Sequence, residues 1–312
     1  MAGGLKVSKD GTVYLKNHLN VAWLRPESAL CDAIASTIIS KHKIKSPSLD
    51  MGCGNGIFSF ITAGGDFSID YDWYINVDVA GFWENKDIYN TCNVNKLEQY
   101  IVKKPEYTFT YGLDHKNNLL TQAGSLGFYD NMILHDANQI LPFENSTFNT
   151  VFSNILYWLN EPLKSLGEIH RILHNGGRAL ICIPNVKFAE YCFTFSWEEK
   201  KSSLLKKLNR GRSEAVQWSA SYDEFIKLAK NAGFSIVDHM YYWSRLTLTI
   251  WDIGLRPISP YLIKMANKLS PEDRRAIKLE WVDTLGEILL PLYEMEMNSQ
   301  EEGGFHFFVL QK

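Results

Sequence analysis

One aspartate and three alternating glycines form the stretch with the clearest chemical meaning: Asp50, Gly52, Gly54 and Gly56. A short apolar run leads into them, and an apolar segment of helical period, starting at Ile57, follows. This order predicts a strand, a tight turn and a helix. Glycine accepts positive φ and lets the backbone approach a ligand closely, and open α/β sheets bind cofactors at the carboxyl ends of their strands. The stretch therefore predicts a cofactor-binding turn, and a tight turn without a ligand stays the alternative.

The glycine spacing argues against two common nucleotide sites. A dinucleotide fingerprint has the pattern G-x-G-x-x-G, but position 57 is an isoleucine and the third glycine comes one residue earlier. A phosphate-binding loop needs Gly-Lys followed by Ser or Thr, and that sequence does not follow here.

Composition sets the broad class of protein. The 312 residues are 46% hydrophobic and 21% charged, which is typical of globular domains, and a net charge of −3 without long basic runs disfavours a nucleic-acid partner. The five cysteines are scattered, odd in number and without a C-x-x-C pair, so neither a disulfide framework nor a zinc site is expected. The sequence shows no apolar leader and no run long enough to cross a membrane, which predicts a cytoplasmic protein without an integral membrane segment.

Apolar runs alternate with amphipathic segments downstream of the glycine turn. Residues 109–114 form a predicted second strand ending at Asp114, and residues 131–137 form a third strand that contains Asp136, 22 residues later. This step suits one helix-plus-strand unit and favours Asp114 over Asp78 as the end of the second strand. Strands are also expected over 149–156 and 178–185, with a helix before the second of these that stops at Gly176-Gly177. This alternation of strands and helices predicts an α/β fold with a mainly parallel sheet covered by helices on both faces.

The rest of the chain is read as elaboration of one domain. The predicted core covers 49–66, 108–185, 219–245 and 303–312, after a helical lead-in over 1–48. Three cap insertions rich in aromatic residues are expected over 67–107, 186–218 and 246–302. The last insertion contains a long helix started by Ser270-Pro271, which Pro291 is expected to end or kink.

Several motifs together resemble one family. Glu168-Ile169-His170-Arg171 leading to Gly176-Gly177 is similar to the E-x-x-R-V-L-x-P-G-G segment of class I S-adenosylmethionine (SAM) dependent methyltransferases, with Asn175 in place of proline. Further similar segments are Asp50 to Gly56, His135-Asp136-Ala137 with Leu141-Pro142-Phe143, and Ile183-Pro184-Asn185. The small-molecule branch, called methyltransferase type 11, is the part of the family that the sequence resembles. The resemblance implies a Rossmann-like, doubly wound, seven-stranded sheet whose last strand pairs antiparallel beside the sixth.

The resemblance also assigns cofactor contacts. Asp114 is expected to accept hydrogen bonds from the ribose hydroxyls of SAM, Asp136 and Ala137 to contact the adenine, and His115 to stack on it or point to water. The glycine turn is expected to hold the methionine part, and the end of the fourth strand to face the sulfonium. The full predicted set is Asp50, Gly52, Cys53, Gly54, Asp114, His115, Asp136, Ala137, Ser153 and Asn154.

No side chain stands out as a catalytic base. Methyl transfer needs one only if the acceptor starts as a hydroxyl or a protonated amine, and Tyr14, His18, Tyr157 and Tyr191 are weak candidates. The acids Asp66, Asp70, Asp72 and Asp78 match no metal-binding loop, so no metal is expected.

The resemblance implies a methyltransferase acting on a hydroxyl or amine of a small molecule, such as a saccharide, lipid-linked or natural-product acceptor. A non-catalytic SAM-binding or scaffolding protein is the alternative, and an aminopropyl transferase is less favoured because no paired acidic motif follows the fourth strand. The oligomeric state is left open. The aromatic segment from Phe67 to Trp83 is expected on the acceptor side, or else packed against the long helix that contains Trp281.

Overall fold

The structure is a computed structural model that describes residues 9–75, 77, 96–196 and 216–312. Its strands are β1 Ser48–Met51, β2 Asp66–Phe67, β3 Ile101–Lys103, β4 Phe109–Asp114, β5 Tyr129–Leu134, β6 Phe148–Ser153, β7 Leu173–Pro184, β8 Ser235–Tyr242 and β9 Phe305–Gln311. Its α-helices are α1 Lys9–Val21, α2 Pro26–Ile39, α3 Ile57–Thr62, α4 Asn117–Gly124, α5 Pro162–Ile172, α6 Lys187–Tyr191, α7 Phe193–Ser196, α8 Tyr222–Asn231, α9 Arg245–Ile253, α10 Ser259–Ala266 and α11 Pro271–Met297.

Seven of these strands form one sheet in the order β5-β4-β1-β6-β7-β9-β8. The strands from β5 to β7 are parallel, and β9 is antiparallel to both of its neighbours, with Phe308 opposite Ile181 of β7 and His239 of β8. The predicted Rossmann-like, mainly parallel seven-stranded fold is confirmed. The antiparallel pairing of the last strand beside the sixth strand of the core is confirmed as well, and on its other side the last strand pairs with the fifth.

Each face of the sheet has its own buried cluster. Because successive strand side chains point to opposite faces, Phe307 packs with α1, α2 and α11, while Phe308 packs with α5 and α8. Both phenylalanines are fully buried. The sheet is therefore covered by helices on both sides, as a mainly parallel sheet requires.

Some predicted boundaries are wrong by a few residues. Helix α5 ends at Ile172, before the two glycines, and the next strand already begins at Leu173, which pairs with Phe148. The pairing then shifts and resumes at Arg178, because the chain turns at Gly176 with a φ of 79°. Strand β5 ends at Leu134, so Asp136 lies in the loop after the strand and not within it.

Helix α11 continues through Pro291 to Met297, so the proline does not end it. Pro291 and Glu287, four residues earlier, are both exposed. The proline therefore lies on an exposed side of the helix, where water can replace the missing hydrogen bond and lower the cost of a proline inside the helix. The predicted start is confirmed, since the Ser270 hydroxyl accepts a hydrogen bond from the Asp273 N–H at 3.1 Å.

The first cap insertion packs against α11. Asp72 pairs with Arg274 at 2.7 Å, and Lys278 donates to the backbone oxygens of Ile69, at 3.0 Å, and Tyr71. Phe67, Tyr71 and Tyr74 are buried. They belong to the same buried cluster as residues of α11, so the alternative that these aromatics pack against the long helix is favoured over the acceptor side. Trp83 lies outside the described residues.

Among the described residues, no helix is long and apolar enough to cross a membrane. Four of the five cysteines lie in the described part of the chain, and each is a free thiol.

Candidate cofactor and acceptor site

A cavity of about 410 Å³ opens at the carboxyl ends of four parallel strands. Its lining includes Gly52 after β1, Asp114 at the end of β4, His135 after β5 and Ile155 after β6. Pockets that bind small molecules commonly have volumes of about 300–1,000 Å³ and occur at this edge of open α/β sheets. The remaining lining residues are Leu113, His115, Asp136, Ala137, Asn138, Trp158, Leu159 and Gln217.

The glycine turn lies against the end of β4. The N–H groups of Gly52 and Cys53 both donate to the Leu113 carbonyl, at 2.8 and 3.0 Å. Gly52 has a φ of 82°, and a Cβ atom there would lie 2.5 Å from the Ile155 side chain. Only glycine allows this close approach of the turn to Ile155.

Asp114 is a buried carboxylate at the mouth of the turn, 8% exposed. One oxygen accepts from the Gly54 N–H at 2.9 Å, and the other accepts from the Lys116 N–H at 2.9 Å. A carboxylate has about four acceptor positions, so the two oxygens can accept further hydrogen bonds from a ligand in the cavity.

Asp50 supports the turn from below and is not among the residues that line the cavity. It is buried and accepts a hydrogen bond from the Tyr129 hydroxyl at 2.8 Å. Burial raises the pKa of Asp50 to about 6, although hydrogen bonds from Ser59 and Tyr129 oppose the shift. Asp50 therefore holds β1, α3 and β5 together beneath the site.

Asp136 is exposed at the other end of the cavity. Its Oδ1 atom accepts from the backbone N–H of Asn138 at 2.9 Å and from the Asn138 amide at 3.0 Å. The backbone hydrogen bond is the main reason why the pKa of Asp136 is lowered, so the carboxylate is charged at neutral pH. A charged acceptor here, beside Ala137, can bind an amino group.

Five of the ten predicted cofactor residues line the cavity: Gly52, Asp114, His115, Asp136 and Ala137. Cys53 and Gly54 lie in the adjoining turn, and Gly54 has open space where a Cβ atom would be. Ser153 is buried at the end of β6, and Asn154 beside it is half-buried; neither lines the cavity.

None of the four candidate bases lines the cavity, and only Tyr14 and His18, one turn apart on α1, are close to each other. Tyr14 donates to the Thr62 carbonyl at 3.1 Å, and Tyr191 donates to the Glu302 carbonyl at 2.9 Å. Tyr157 is buried with its ring edge-on to Phe305.

His18, the fourth candidate, is buried in the core. Its Nε2 atom lies 2.8 Å from the Ser36 hydroxyl. Burial lowers the pKa of His18 to about 3, so the ring stays neutral at physiological pH.

Three polar cavity residues were not predicted from the sequence as site residues: His135, Asn138 and Gln217. The Nε2 atom of His135 lies 3.0 Å from the Ile140 carbonyl oxygen, which can only accept, so Nε2 carries the proton. Asn138 accepts from the Asn160 N–H at 2.9 Å and so joins the loops after β5 and β6. The position of His135 directly before Asp136 is a signal that could have identified it. Gln217 lies near the end of the predicted insertion 186–218, and no sequence signal pointed to it.

The acids considered for a metal site are engaged elsewhere. Asp70 pairs with Arg275 and Asp72 with Arg274. Asp66 accepts from the Phe67 N–H, and Asp78 lies outside the described residues. In the described part of the chain, no three His, Cys, Asp or Glu side chains are grouped as a metal site would require.

A family model described as a methyltransferase domain matches residues 94–181. This range covers β4 to most of β7, with Asp114 and Asp136, but not the glycine turn. The predicted resemblance to SAM-dependent methyltransferases is thereby confirmed. No curated protein matches the sequence.

Solved structures of similar fold include two SAM-dependent methyltransferases. That of Thermotoga maritima is 13% identical, with 90% of this chain and 89% of that chain covered and a TM-score of 0.48. The methyltransferase of Mesorhizobium loti is 13% identical, with 90% of this chain and 96% of that chain covered and a TM-score of 0.42.

Proposed function

We propose that this protein is a SAM-dependent methyltransferase that transfers a methyl group to a hydroxyl or amine of a small molecule. The observation that carries the proposal is the cavity at the carboxyl ends of β1, β4, β5 and β6, with the buried Asp114 carboxylate at its wall. The methyltransferase-domain match includes this aspartate.

The residues present fit the cofactor. Asp114 has acceptor capacity left for a ribose diol, and the Asp136 carboxylate with the Ala137 backbone suits an adenine edge. Gly54 has open space where a Cβ atom would be, so the turn leaves room there for the ligand's methionine part. The roles of Ser153 and Asn154 near the sulfonium stay predictions.

When bound, SAM supplies a methyl group activated by its sulfonium charge. The chain's residues then have to position the reactants and exclude water, because proximity and alignment account for most of the rate gain in such a displacement. Ile155 and Leu159 form an apolar wall, and Trp158, 46% exposed, stands at the mouth with an aromatic face suited to a cation.

The acceptor is proposed only as a class: a saccharide, a lipid-linked compound or a natural product carrying a hydroxyl or an amine. One observation favours the alternative of a non-catalytic SAM-binding protein. Among the described residues, none of the four candidate bases reaches the cavity. An amine acceptor that arrives unprotonated would need no such base. The cytoplasmic location also stays a prediction.

Two measurements test the proposal. Isothermal titration calorimetry should detect binding of S-adenosylhomocysteine and SAM, while NAD should not bind. Binding of NAD at comparable strength would overturn the cofactor assignment.

Mass spectrometry of candidate acceptors incubated with protein and SAM should then show a gain of one methylene. Cofactor binding without methylation across hydroxyl and amine acceptors of all three classes would favour the non-catalytic alternative.

A further inference from the structure

Helix α10 has apolar residues on two opposite sides. Ser259, Ile263 and Ala266 form its inner side and are 5% exposed or less. The outer side carries a stripe of apolar residues spaced by three or four positions, which places them on one helical face. The stripe consists of Ile258, Tyr261, Met265 and Leu269, which are 46%, 52%, 67% and 36% exposed.

The helical path extends beyond the helix bounds at both ends of this stripe. Ile258 has a helical backbone conformation directly before α10. After α10, the Lys268 and Leu269 N–H groups donate to the carbonyls of Met265 and Ala266. The four side chains therefore lie along one continuous side of about three helical turns.

The only charged residues within 258–269 are two lysines, and the exposed acids Glu272 and Asp273 follow at the start of α11. Lys264 and Lys268 are exposed and one helical turn apart. From Ser244 to Ser270 the sequence has only one acid, Asp252, and it is fully buried, with its oxygens accepting from the Thr194 N–H and hydroxyl at 2.7 Å each. The stripe with the two lysines, named the basic-apolar face, is thus locally cationic on a chain of net charge −3.

Helix α9 begins at the edge of the sheet that holds the cavity. Strand β8 ends at Tyr242, opposite Phe305, which is in turn opposite Pro184 at the end of β7. Helix α9 therefore starts from the carboxyl edge of the parallel strands, and α10 follows it in sequence.

We propose that the basic-apolar face docks on the surface of an anionic lipid membrane. Its apolar side chains would enter the boundary between headgroups and acyl chains, and the lysines would extend along them to the phosphate groups. Helices that lie in a membrane interface combine such an apolar face with lysines at its border. An aromatic side chain with a polar hydroxyl, such as Tyr261, suits the same boundary.

A second copy of the chain fits this face less well. In a two-fold dimer the same patch meets itself, so Lys264 and Lys268 would lie near their own copies and repel them. Lysine is also depleted from the centres of protein interfaces. Anionic lipid headgroups, by contrast, complement both lysines.

Vesicle co-sedimentation tests the proposal. The full chain should bind vesicles of phosphatidylcholine mixed with phosphatidylglycerol and should bind phosphatidylcholine vesicles weakly. The double variant Lys264→Glu/Lys268→Glu should lose anionic-vesicle binding by more than about tenfold. Met265→Ser should also weaken it.

Two matched controls separate the face from general surface effects. Met295→Ser changes a methionine on α11 that is 61% exposed, and Lys227→Glu/Lys230→Glu changes two exposed lysines on α8. Both variants should bind vesicles like the wild type. Thermal melting confirms that every variant is folded. Calorimetry with S-adenosylhomocysteine shows separately whether the cofactor proposal holds.

Three results would overturn the proposal. The first is that the wild-type protein does not bind anionic vesicles. The second is that Lys227→Glu/Lys230→Glu on α8 loses as much vesicle binding as Lys264→Glu/Lys268→Glu. The third is a wild-type dimer in solution that Met265→Ser converts to a monomer, which would assign the face to a second copy.

Discussion

At the scale of single residues, Asp114 combines a supporting contact with spare binding capacity. Its two oxygens already hold the Gly54 and Lys116 N–H groups, so the carboxylate is oriented before a ligand arrives. An oriented charged acceptor loses little freedom when it binds hydroxyl donors.

Replacing this carboxylate should weaken SAM binding strongly. We expect Asp114→Ala to cost about 1.5–3 kcal/mol of binding free energy, tenfold or more in affinity, because charge-assisted hydrogen bonds are lost. Calorimetry with S-adenosylhomocysteine measures the loss. Asp130→Ala, an exposed change on β5, is the control and should leave affinity unchanged. If Asp78→Ala causes the loss and Asp114→Ala does not, the ribose assignment is wrong.

The buried His18 should make stability depend on pH. Its pKa is lowered from 6.5 to about 3 in the folded protein, so as the pH falls below 6.5 the unfolded chain takes up a proton that the folded chain refuses. Above pH 6.5 the protonation of His18 does not affect stability. As the pH falls from 6.5 towards 3, it lowers the unfolding free energy progressively, by up to about 1.4 kcal/mol per pH unit.

The variant His18→Gln keeps polar atoms near Ser36 but cannot be protonated in this range. Urea unfolding at about pH 7 and about pH 5 should show that the wild type loses more stability than this variant. Equal losses in the two proteins would show that His18 is not held neutral.

At the scale of elements, α11 and the first cap insertion are joined by a buried ion pair. The Arg274 and Asp72 side chains are 7% and 8% exposed, and the guanidinium lies over the Trp23 ring at 5.6 Å. The neighbouring pair of Arg275 and Asp70 is 54% and 53% exposed. The two pairs have the same chemistry and differ in burial.

Burial should decide what each arginine contributes. Arg274→Met leaves the Asp72 carboxylate buried without its cation and should cost about 3–5 kcal/mol of unfolding free energy. Arg275→Met removes a solvent-screened pair and should cost about 0–1 kcal/mol. Urea unfolding of both variants measures the difference. Similar costs for the two would contradict the burial of the first pair.

At the scale of the whole molecule, the last strand completes the sheet. Six of the seven residues of β9 are buried, and the strand is hydrogen-bonded on both sides, to β7 and β8. Phe307 and Phe308 contribute to the buried clusters on opposite faces. Without β9, β8 has no partner in the sheet and both cores lose large side chains.

Removing residues 303–312 should therefore abolish cooperative folding. We expect the shortened chain to lack a sigmoidal urea transition in circular dichroism. The backbone hydrogen bonds to β7 and β8 are lost together with the Phe307 and Phe308 side chains from the two buried clusters. Glu301→Ala, an exposed change just before the strand, should stay within about 0.5 kcal/mol of the wild type. A cooperative transition at the wild-type midpoint in the shortened chain would contradict the central role of β9.

The sequence alone determined the fold class and part of the site. The glycine turn after Asp50 and the strand ending at Asp114 were predictable because each depends on local patterns, such as apolar runs, glycines and their spacing. The antiparallel pairing of the last strand was implied only by the resemblance to a family. Local patterns also marked Asp114 as the end of a strand, whereas the cofactor roles of Asp114 and Asp136 were implied by the resemblance and stay predictions.

Only the tertiary structure decided which side chains meet. Gln217 and Asp114 line the same cavity although they are about a hundred residues apart in the sequence. No local sequence pattern indicates that two such distant residues lie together. Tyr71 is a core residue because α11, two hundred residues later, covers it. Sequence patterns show which faces are apolar, whereas the partner that buries each face depends on packing between distant segments.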